Sequence, residues 1–216
     1  MAFAMIRRLS SRGCSMTFKI GHTTVCIAFS FSAVLCILLI AFPFSVVMQV
    51  LAAILLHELG HLLCGAAYGV YPSRVALSVR GVGITMALDG LPGRERTAIA
   101  LAGPAVNLAL CVPAALFHFH TWMAVNGALA VLNLLPVPGL DGGDVLRIVL
   151  GRWTDCARAD RVCLIVGGVV LFPAASAYFL LLLGGMISRR SLLVFAYLVV
   201  LLFADPPDCK LRTTVL

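Results

Sequence analysis

The sequence predicts an all-α polytopic membrane protein with about six transmembrane helices and a small β-hairpin between the second and the third. Hydrophobic residues make up 62% of the 216 residues and charged residues only 12%, whereas a soluble domain has roughly 25% charged residues. The mean hydropathy is +1.07. Apolar runs of roughly 20 residues, the length that crosses a hydrocarbon core of about 30 Å, recur along the chain. These observations together exclude an ordinary soluble domain.

The predicted spans follow one another with short connections. The first two, at about 25–46 and 48–68, are separated only by a tight turn at 41–45. The next segment, 75–88, has β-branched residues in partial alternation around a Gly-Val-Gly centre, which indicates a hairpin. The later spans are expected at about 97–117, 121–137, 162–187 and 191–204.

The distribution of basic residues predicts the orientation of the chain. With the N-terminus in the cytosol, fourteen of the sixteen Lys and Arg residues fall on the cytosolic side, and only Arg189 and Arg190 fall outside. Cytosolic loops of membrane proteins carry such an excess of Lys and Arg. Both termini are therefore expected in the cytosol. Because topology accounts for the net charge of +7, nucleic acid is not expected as a partner.

The eight cysteines show no regular spacing. Five of them fall within or at the ends of apolar runs, which is typical of buried free thiols rather than of a disulfide framework. These five are Cys26, Cys36, Cys64, Cys111 and Cys163.

One short motif carries metal chemistry. His57-Glu58-Leu59-Gly60-His61 lies in the middle of the second predicted span. On a helix, residues four apart lie on the same face, so His57 and His61 can present two imidazole nitrogens to one zinc ion, with Glu58 beside them as a general base. An ionisable group at bilayer depth costs several kcal/mol unless it is paired or binds a metal. The motif therefore predicts a Zn2+ site inside the membrane.

A third metal ligand is expected after the fourth span. Zinc in a hydrolase has three protein ligands and one open position. Apart from Glu58, the chain has a single glutamate, and it lies in a polar segment. Asp141 is the strongest candidate, because Pro136, Pro138 and the glycine pair after Asp141 break the helix there. Non-helical backbone at membrane depth is tolerated where it lines a cavity. Cys64, three residues past His61, is a weaker candidate.

Three segments together resemble the motif set of the site-2 protease family of intramembrane zinc metalloproteases. They are His57 to His61, Ala102-Gly103-Pro104-Ala105-Val106-Asn107 and Asn133 to Gly143, in an order and spacing that match over about residues 48–150. The short loops are most similar to the minimal branch that includes the stage IV sporulation factor protease. Only about a dozen residues follow the last predicted span. A single membrane-embedded metalloprotease domain over 1–216, with its core at 48–150 and no PDZ or CBS domain, is therefore expected.

The resemblance implies roles for individual residues. His57, His61 and Asp141 would bind Zn2+, and Glu58 would be the catalytic base. Asn107 and Asn133 would lie near the site and orient substrate or close a gate. A plain helix-to-helix hydrogen bond is an equally weighted alternative for each asparagine.

The resemblance also implies that the hairpin is re-entrant. Its free edge could then hold an unwound substrate segment by strand addition. A plain connecting loop is the alternative.

These residues predict an intramembrane zinc endopeptidase. It would hydrolyse a peptide bond in or near the transmembrane segment of a membrane-spanning or membrane-tethered protein. By the resemblance, it would be a multi-pass protein of a bacterial cell membrane. A regulatory partner is possible but is not identified by the sequence. One alternative is a divalent-metal transporter, which would need ligands along a path rather than in one cluster. Another is a catalytically silent regulatory membrane protein, which would be expected to lack Glu58 or a metal ligand.

Overall fold

The computed structural model describes residues 16–20, 23–78, 81–88 and 90–183. Within these ranges the chain forms one sheet and six helices. The strands are β1 (Met16–Ile20), β2 (Thr23–Ile27), β3 (Pro72–Ser78) and β4 (Gly81–Met86). The helices are α1 (Phe29–Ala41), α2 (Phe44–Ala67), α3 (Gly93–Leu116), α4 (His120–Leu134), α5 (Asp141–Leu150) and α6 (Cys156–Leu183). The fold is mostly helical, as the composition predicts.

Three helices in the described part of the chain are long and apolar enough to cross a membrane. They are α2, α3 and residues 157–181 of α6, and they match the second, third and fifth predicted spans. The helix α1 has 13 residues and rises only about 20 Å, and its predicted span begins instead inside strand β2. The fourth predicted span forms the 15-residue helix α4. The sixth, at 191–204, lies outside the described residues, so six spans are not confirmed.

The sheet is larger than the predicted hairpin. Its strand order is β1-β2-β3-β4. The hairpin expected at 75–88 is present as the antiparallel pair β3 and β4, with Val75 opposite Ile84. A second antiparallel hairpin, β1 and β2, joins it through a parallel pairing of β2 with β3. Parallel strands need a long crossover connection, and helices α1 and α2 supply it.

Strand β4 packs against α2, which carries His57 and His61, and against α3, which carries Gly103 and Pro104. Ile84 and Met86 form a buried cluster with Ile99 of α3, and Leu62 and Cys64 of α2 pack against this cluster. Such apolar contacts fix a strand through the area that they remove from solvent. Strand β4 is therefore held beside the turn of α2 that directly follows His61.

Helices α2 and α3 approach each other closely at a glycine. A Cβ atom on Gly60 would stand 2.8 Å from the carbonyl oxygen of Ala102 and 2.9 Å from a methyl group of Val106. Small residues allow the backbones of membrane helices to come this close. The contact sets the depth at which the two histidines of α2 meet α3.

The five cysteines follow the expectation of buried free thiols only in part, since Cys163 is buried but Cys64 and Cys111 are half-buried and Cys36 is exposed. Four of them, Cys36, Cys64, Cys111 and Cys163, are free thiols. Cys26 takes part in a disulfide, so the expectation of a free thiol is wrong at this position.

Candidate active site

Helix α2 presents its two histidines as a facing pair. His57 and His61 are 4% and 2% exposed, and their Nε2 atoms are 3.2 Å apart. The four-residue spacing places both rings on one face, and the rings meet edge to face with centroids 4.8 Å apart. The two imidazole nitrogens therefore converge on one point.

Asp141 reaches the same point from a different segment. Residues 135–140 are non-helical, and Gly139 has φ +94°, a backbone conformation that glycine adopts without strain. Asp141 is the first residue of α5. Its Oδ2 lies 3.1 Å from His57 Nε2, and its Oδ1 lies 3.4 Å from His61 Nε2. The predicted break after the fourth span therefore places a carboxylate against both imidazoles.

Two glycines allow α5 to start where it does. A Cβ atom on Gly142 would overlap the carbonyl of Leu134, and one on Gly143 would overlap the carbonyl of Val137. No larger residue fits at either position without a backbone shift. The Gly-Gly pair thus lets the first turn of α5 lie directly on the preceding loop, and this packing sets the position of Asp141.

The outward nitrogens of the two histidines face helix α3. His61 Nδ1 lies 2.7 Å from the carbonyl oxygen of Ile99. Because a carbonyl can only accept, Nδ1 carries the proton and Nε2 keeps its lone pair. His57 Nδ1 lies 3.3 Å from Nδ2 of Asn107, which is fully buried. Contacts of this kind orient histidine ligands in metal sites.

The spacing of the three inner atoms fits a tetrahedral metal. Ligand bonds of 2.0–2.2 Å place two ligand atoms of a tetrahedral zinc site about 3.3 to 3.6 Å apart. The three distances here are 3.2, 3.1 and 3.4 Å. In the described part of the chain, one group of three or more possible metal ligands converges. It consists of His57, His61 and Asp141. The donor set of two imidazoles and one carboxylate suits Zn2+.

Gly103 leaves open space beside these atoms. A Cβ atom on this residue would overlap His61 Nε2 and stand 2.7 Å from His57 Nε2. A hydrogen in place of a methyl group thus creates a small cradle between α3 and the two rings. The residues present therefore fit a bound zinc ion.

Glu58 projects beside the ligand cluster. It is half-buried and interacts electrostatically with His61 and Asp141. Within the described ranges its side chain makes no hydrogen bond and no ion pair. Its carboxylate is therefore free to bind a water molecule or a substrate amide.

The two predicted asparagines have different surroundings. Asn107 contacts His57 directly, as described above. Asn133 is half-buried in the last turn of α4, and its Nδ2 donates to the carbonyl of Leu129, one turn earlier, at 3.1 Å. A side chain that bonds to its own helix in this way is satisfied locally. The structure brings Asn107, but not Asn133, into the immediate cluster.

The sequence did not predict two further contributions to the site, from Ile99 and from Gly103. The carbonyl of Ile99 could not have been predicted, since it is a backbone group of another helix. Gly103 could have been noticed, because a Gly-Pro pair inside an apolar span is a sign of close backbone approach. Both lie on the face of α3 that meets His57 and His61.

The geometry agrees with comparisons to known proteins. The sequence model of Peptidase family M50 matches residues 114–174. Among solved structures, the fold is similar to that of the site-2 protease from Methanocaldococcus jannaschii, with a TM-score of 0.62 and 23% identity over 87% of this chain and 92% of that chain. The resemblance to the site-2 proteases is confirmed.

Several curated relatives of the site-2 proteases share sequence with this chain. The zinc metalloprotease MJ0392 of Methanocaldococcus jannaschii is 27% identical over 165 residues, which is 71% of this chain and 46% of that protein. The putative zinc metalloprotease Rip3 of Mycobacterium tuberculosis is 36% identical over 55% of this chain and 36% of its own length. The stage IV sporulation protein FB of Bacillus subtilis is 29% identical over 65% of this chain and 50% of its own length. The chain thus spans between about a third and a half of these relatives.

Proposed function

We propose that this protein is an intramembrane zinc endopeptidase that cleaves a membrane-spanning or membrane-tethered protein in or near its transmembrane segment. The observation that carries the proposal is the convergence of His57, His61 and Asp141 from two separate segments, at distances that suit a tetrahedral zinc ion. The similarity to proteins named zinc metalloproteases supports it. Zinc metalloproteases hydrolyse peptides with three protein ligands on the metal and a nearby carboxylate as general base.

In this proposal each residue of the cluster has one task. His57, His61 and Asp141 would hold the zinc ion. When bound, zinc polarises the scissile carbonyl and lowers the pKa of a water molecule from about 15.7 to about 7. Glu58 takes a proton from that water and later gives it to the leaving amine. Asn133 is proposed near the substrate, where it orients the substrate or closes a gate, and Asn107 is proposed beside the ligand His57.

Substrate presentation is proposed at strand β4. The strand is at the end of the sheet order, so one of its edges has no strand partner in the described part of the chain. It also packs beside the turn that follows His61. A transmembrane helix must unwind before its carbonyls can be attacked, and an extended segment can add to a free strand edge through backbone hydrogen bonds. We therefore propose that the β3-β4 hairpin re-enters the membrane and binds the unwound substrate.

The orientation in the membrane is also a proposal. The excess of Lys and Arg in one set of loops supports a cytosolic location for both termini. An epitope tag at either terminus should be protected from protease added outside the cell. Digestion of either tag would show that this terminus lies outside and would contradict the proposed orientation.

The test of the activity compares two glutamates. Wild type, Glu58→Gln and Glu95→Gln are each expressed together with single-span candidate substrates, and the cleavage products are detected by immunoblot. Glu95 lies in the first turn of α3, so its substitution controls for the loss of a carboxylate elsewhere. Glu58→Gln should keep bound zinc but lose a factor of about 10² to 10⁴ in cleavage rate, whereas Glu95→Gln should cleave normally. Full activity of purified Glu58→Gln would disprove the assignment.

A further inference from the structure

The Nδ1 atoms of the two histidines have different hydrogen-bond partners. Ile99 offers His61 a backbone carbonyl, which can only accept a hydrogen bond. Asn107 offers His57 a side-chain amide, which can donate from Nδ2 or accept at Oδ1. The tautomer of His61 is therefore fixed by the backbone, while the tautomer of His57 depends on which way the Asn107 amide points.

The contact between Asn107 and His57 allows two orientations of the amide. The residue is fully buried, and its Oδ1 has no hydrogen-bond partner when Nδ2 faces His57 Nδ1 at 3.3 Å. The rotated amide would leave Nδ2 in that place instead, so the cost of an unpaired buried group does not separate the two orientations. Rotation of the amide by 180° exchanges its oxygen and nitrogen without changing the space that the side chain fills. Oδ1 then stands where it can accept a hydrogen bond from His57 Nδ1.

The two orientations have opposite consequences at the inner nitrogen. When Asn107 donates, the proton of a neutral His57 sits on Nε2, which can donate it to Asp141 Oδ2 at 3.1 Å. That arrangement blocks the lone pair that a metal needs. When Asn107 accepts, the proton sits on Nδ1 and the Nε2 lone pair faces His61 Nε2 and Asp141.

We propose that Asn107 is the positioning residue of His57: its Oδ1 accepts the Nδ1 hydrogen and so selects the tautomer that can bind zinc. The proposal rests on the metal site of the proposed function and gives Asn107 a task other than substrate binding or gating. Asn107 acts through His57 and does not touch the reacting atoms. In this respect it does for His57 what the Ile99 carbonyl does for His61.

Two substitutions separate this role from simple packing. Asn107→Leu keeps the branched shape and the number of side-chain heavy atoms but can neither donate nor accept. Asn107→Asp can accept but, when ionised, cannot donate. The matched control is Asn126→Leu, because Asn126 of α4 is also fully buried with an unpartnered Oδ1 and bonds only to Trp122 of its own helix within the described residues.

The first readout is zinc affinity, measured for each purified full-length protein in detergent by competition with a chromogenic chelator. Loss of a partner of a metal-bound histidine weakens metal binding by about 10- to 100-fold. We expect a loss of that size in Asn107→Leu and none in Asn126→Leu. Asn107→Asp should bind zinc at least as tightly as wild type, since a carboxylate is a stronger acceptor than an amide.

The second readout is the visible absorption spectrum after replacement of zinc by Co2+. This spectrum reports the ligand set and its geometry, which a purely structural role of Asn107 would leave unchanged. Asn107→Asp should retain the wild-type bands, and Asn107→Leu should shift or weaken them. If Asn107→Leu does not fold, the Asn107→Asp result alone still decides, because loss of zinc from a folded acceptor-only variant would overturn the proposal.

The outcomes also distinguish this proposal from the proposed function. If wild type binds no zinc, the metalloprotease assignment fails. If wild type binds zinc and Asn107→Leu binds it equally tightly with an unchanged Co2+ spectrum, only the positioning role of Asn107 fails.

Discussion

Gly103 of α3 lies directly beside His57 of α2, so that a Cβ atom on the glycine would stand 2.7 Å from the Nε2 atom of the histidine. The same Cβ atom would overlap Nε2 of the second histidine, His61. Protein interiors cannot absorb overlaps of this size without displacing a ring or a helix. The absence of a single methyl group therefore keeps the space that the metal site needs.

Substitution of Gly103 should abolish the site without a change of charge. Gly103→Ala is expected to displace both imidazoles, to remove bound zinc and to lower the cleavage rate about 100-fold, the cost of a misplacement of about 1 Å at a catalytic group. Metal content by mass spectrometry and substrate cleavage check this. Gly168→Ala on α6 is the control, because its Cβ atom would meet no atom within 4 Å and alanine favours the helix. Normal zinc content in Gly103→Ala would contradict the claim that a Cβ atom at this position displaces the two imidazoles.

An ion pair between α5 and α6 should stabilise the helix that carries Asp141. Arg147 Nε and Asp160 Oδ1 are 2.7 Å apart, and the two side chains are only 10% and 17% exposed. Asp160→Asn removes a negative charge that faces the largely buried guanidinium of Arg147, and we expect the free energy of unfolding to fall by about 2 to 4 kcal/mol. Chemical unfolding in detergent measures the change.

The control for this ion pair is an exposed one. Arg158 and Asp155 lie 3.8 Å apart with side chains 75% and 81% exposed. Exposed pairs contribute less than about 1 kcal/mol, so Asp155→Asn should leave stability nearly unchanged. Equal effects of the two substitutions would show that Arg147 and Asp160 do not stabilise the helix contact.

The local chemistry of the site could be predicted from the sequence. The spacing of His57 and His61 on one helix follows from the period of the helix alone. The position of Asp141 follows from the proline and glycine residues around it, which limit the backbone to a break. Such features are local, and local pattern is what a sequence records most directly.

Contacts between distant segments could not be predicted in the same way. The strand β2 pairs with β3 across more than forty residues, with Thr24 opposite Arg74, and the apolar residues of β2 have the composition of a membrane span. Periodicity cannot separate a short buried strand from the start of a helix. The hydrogen bond from His61 to Ile99 likewise depends on how two helices cross, which no pattern within either helix specifies.

If substrate adds to the edge of β4, proline substitutions in β4 should lower substrate cleavage, whereas a proline in β1 at the other edge of the sheet should not. Proline lacks the backbone N–H that an added strand would need as a donor. A proline scan over residues 82–85 should lower cleavage at the positions whose N–H points to the free edge, with unfolding unaffected there. Phe18→Pro in β1, at the opposite end of the sheet order, is the control and should cleave normally. Unchanged cleavage throughout β4 would exclude edge pairing.

Metal removal should act on stability through Asp141. A ligand that joins α2 to the first residue of α5 stabilises the folded state by about 2.7 kcal/mol when its concentration is 100 times its dissociation constant. Wild type should therefore unfold at a lower temperature after chelation and recover on addition of Zn2+. Asp141→Asn should have the lower unfolding temperature with or without Zn2+, because a neutral amide is a poor zinc ligand. Asp144→Asn, one turn further along the same helix, should respond to Zn2+ as wild type does. Thermal unfolding in detergent at matched zinc concentrations makes the comparison, and a zinc response in Asp141→Asn as large as that of wild type would remove Asp141 from the ligand set.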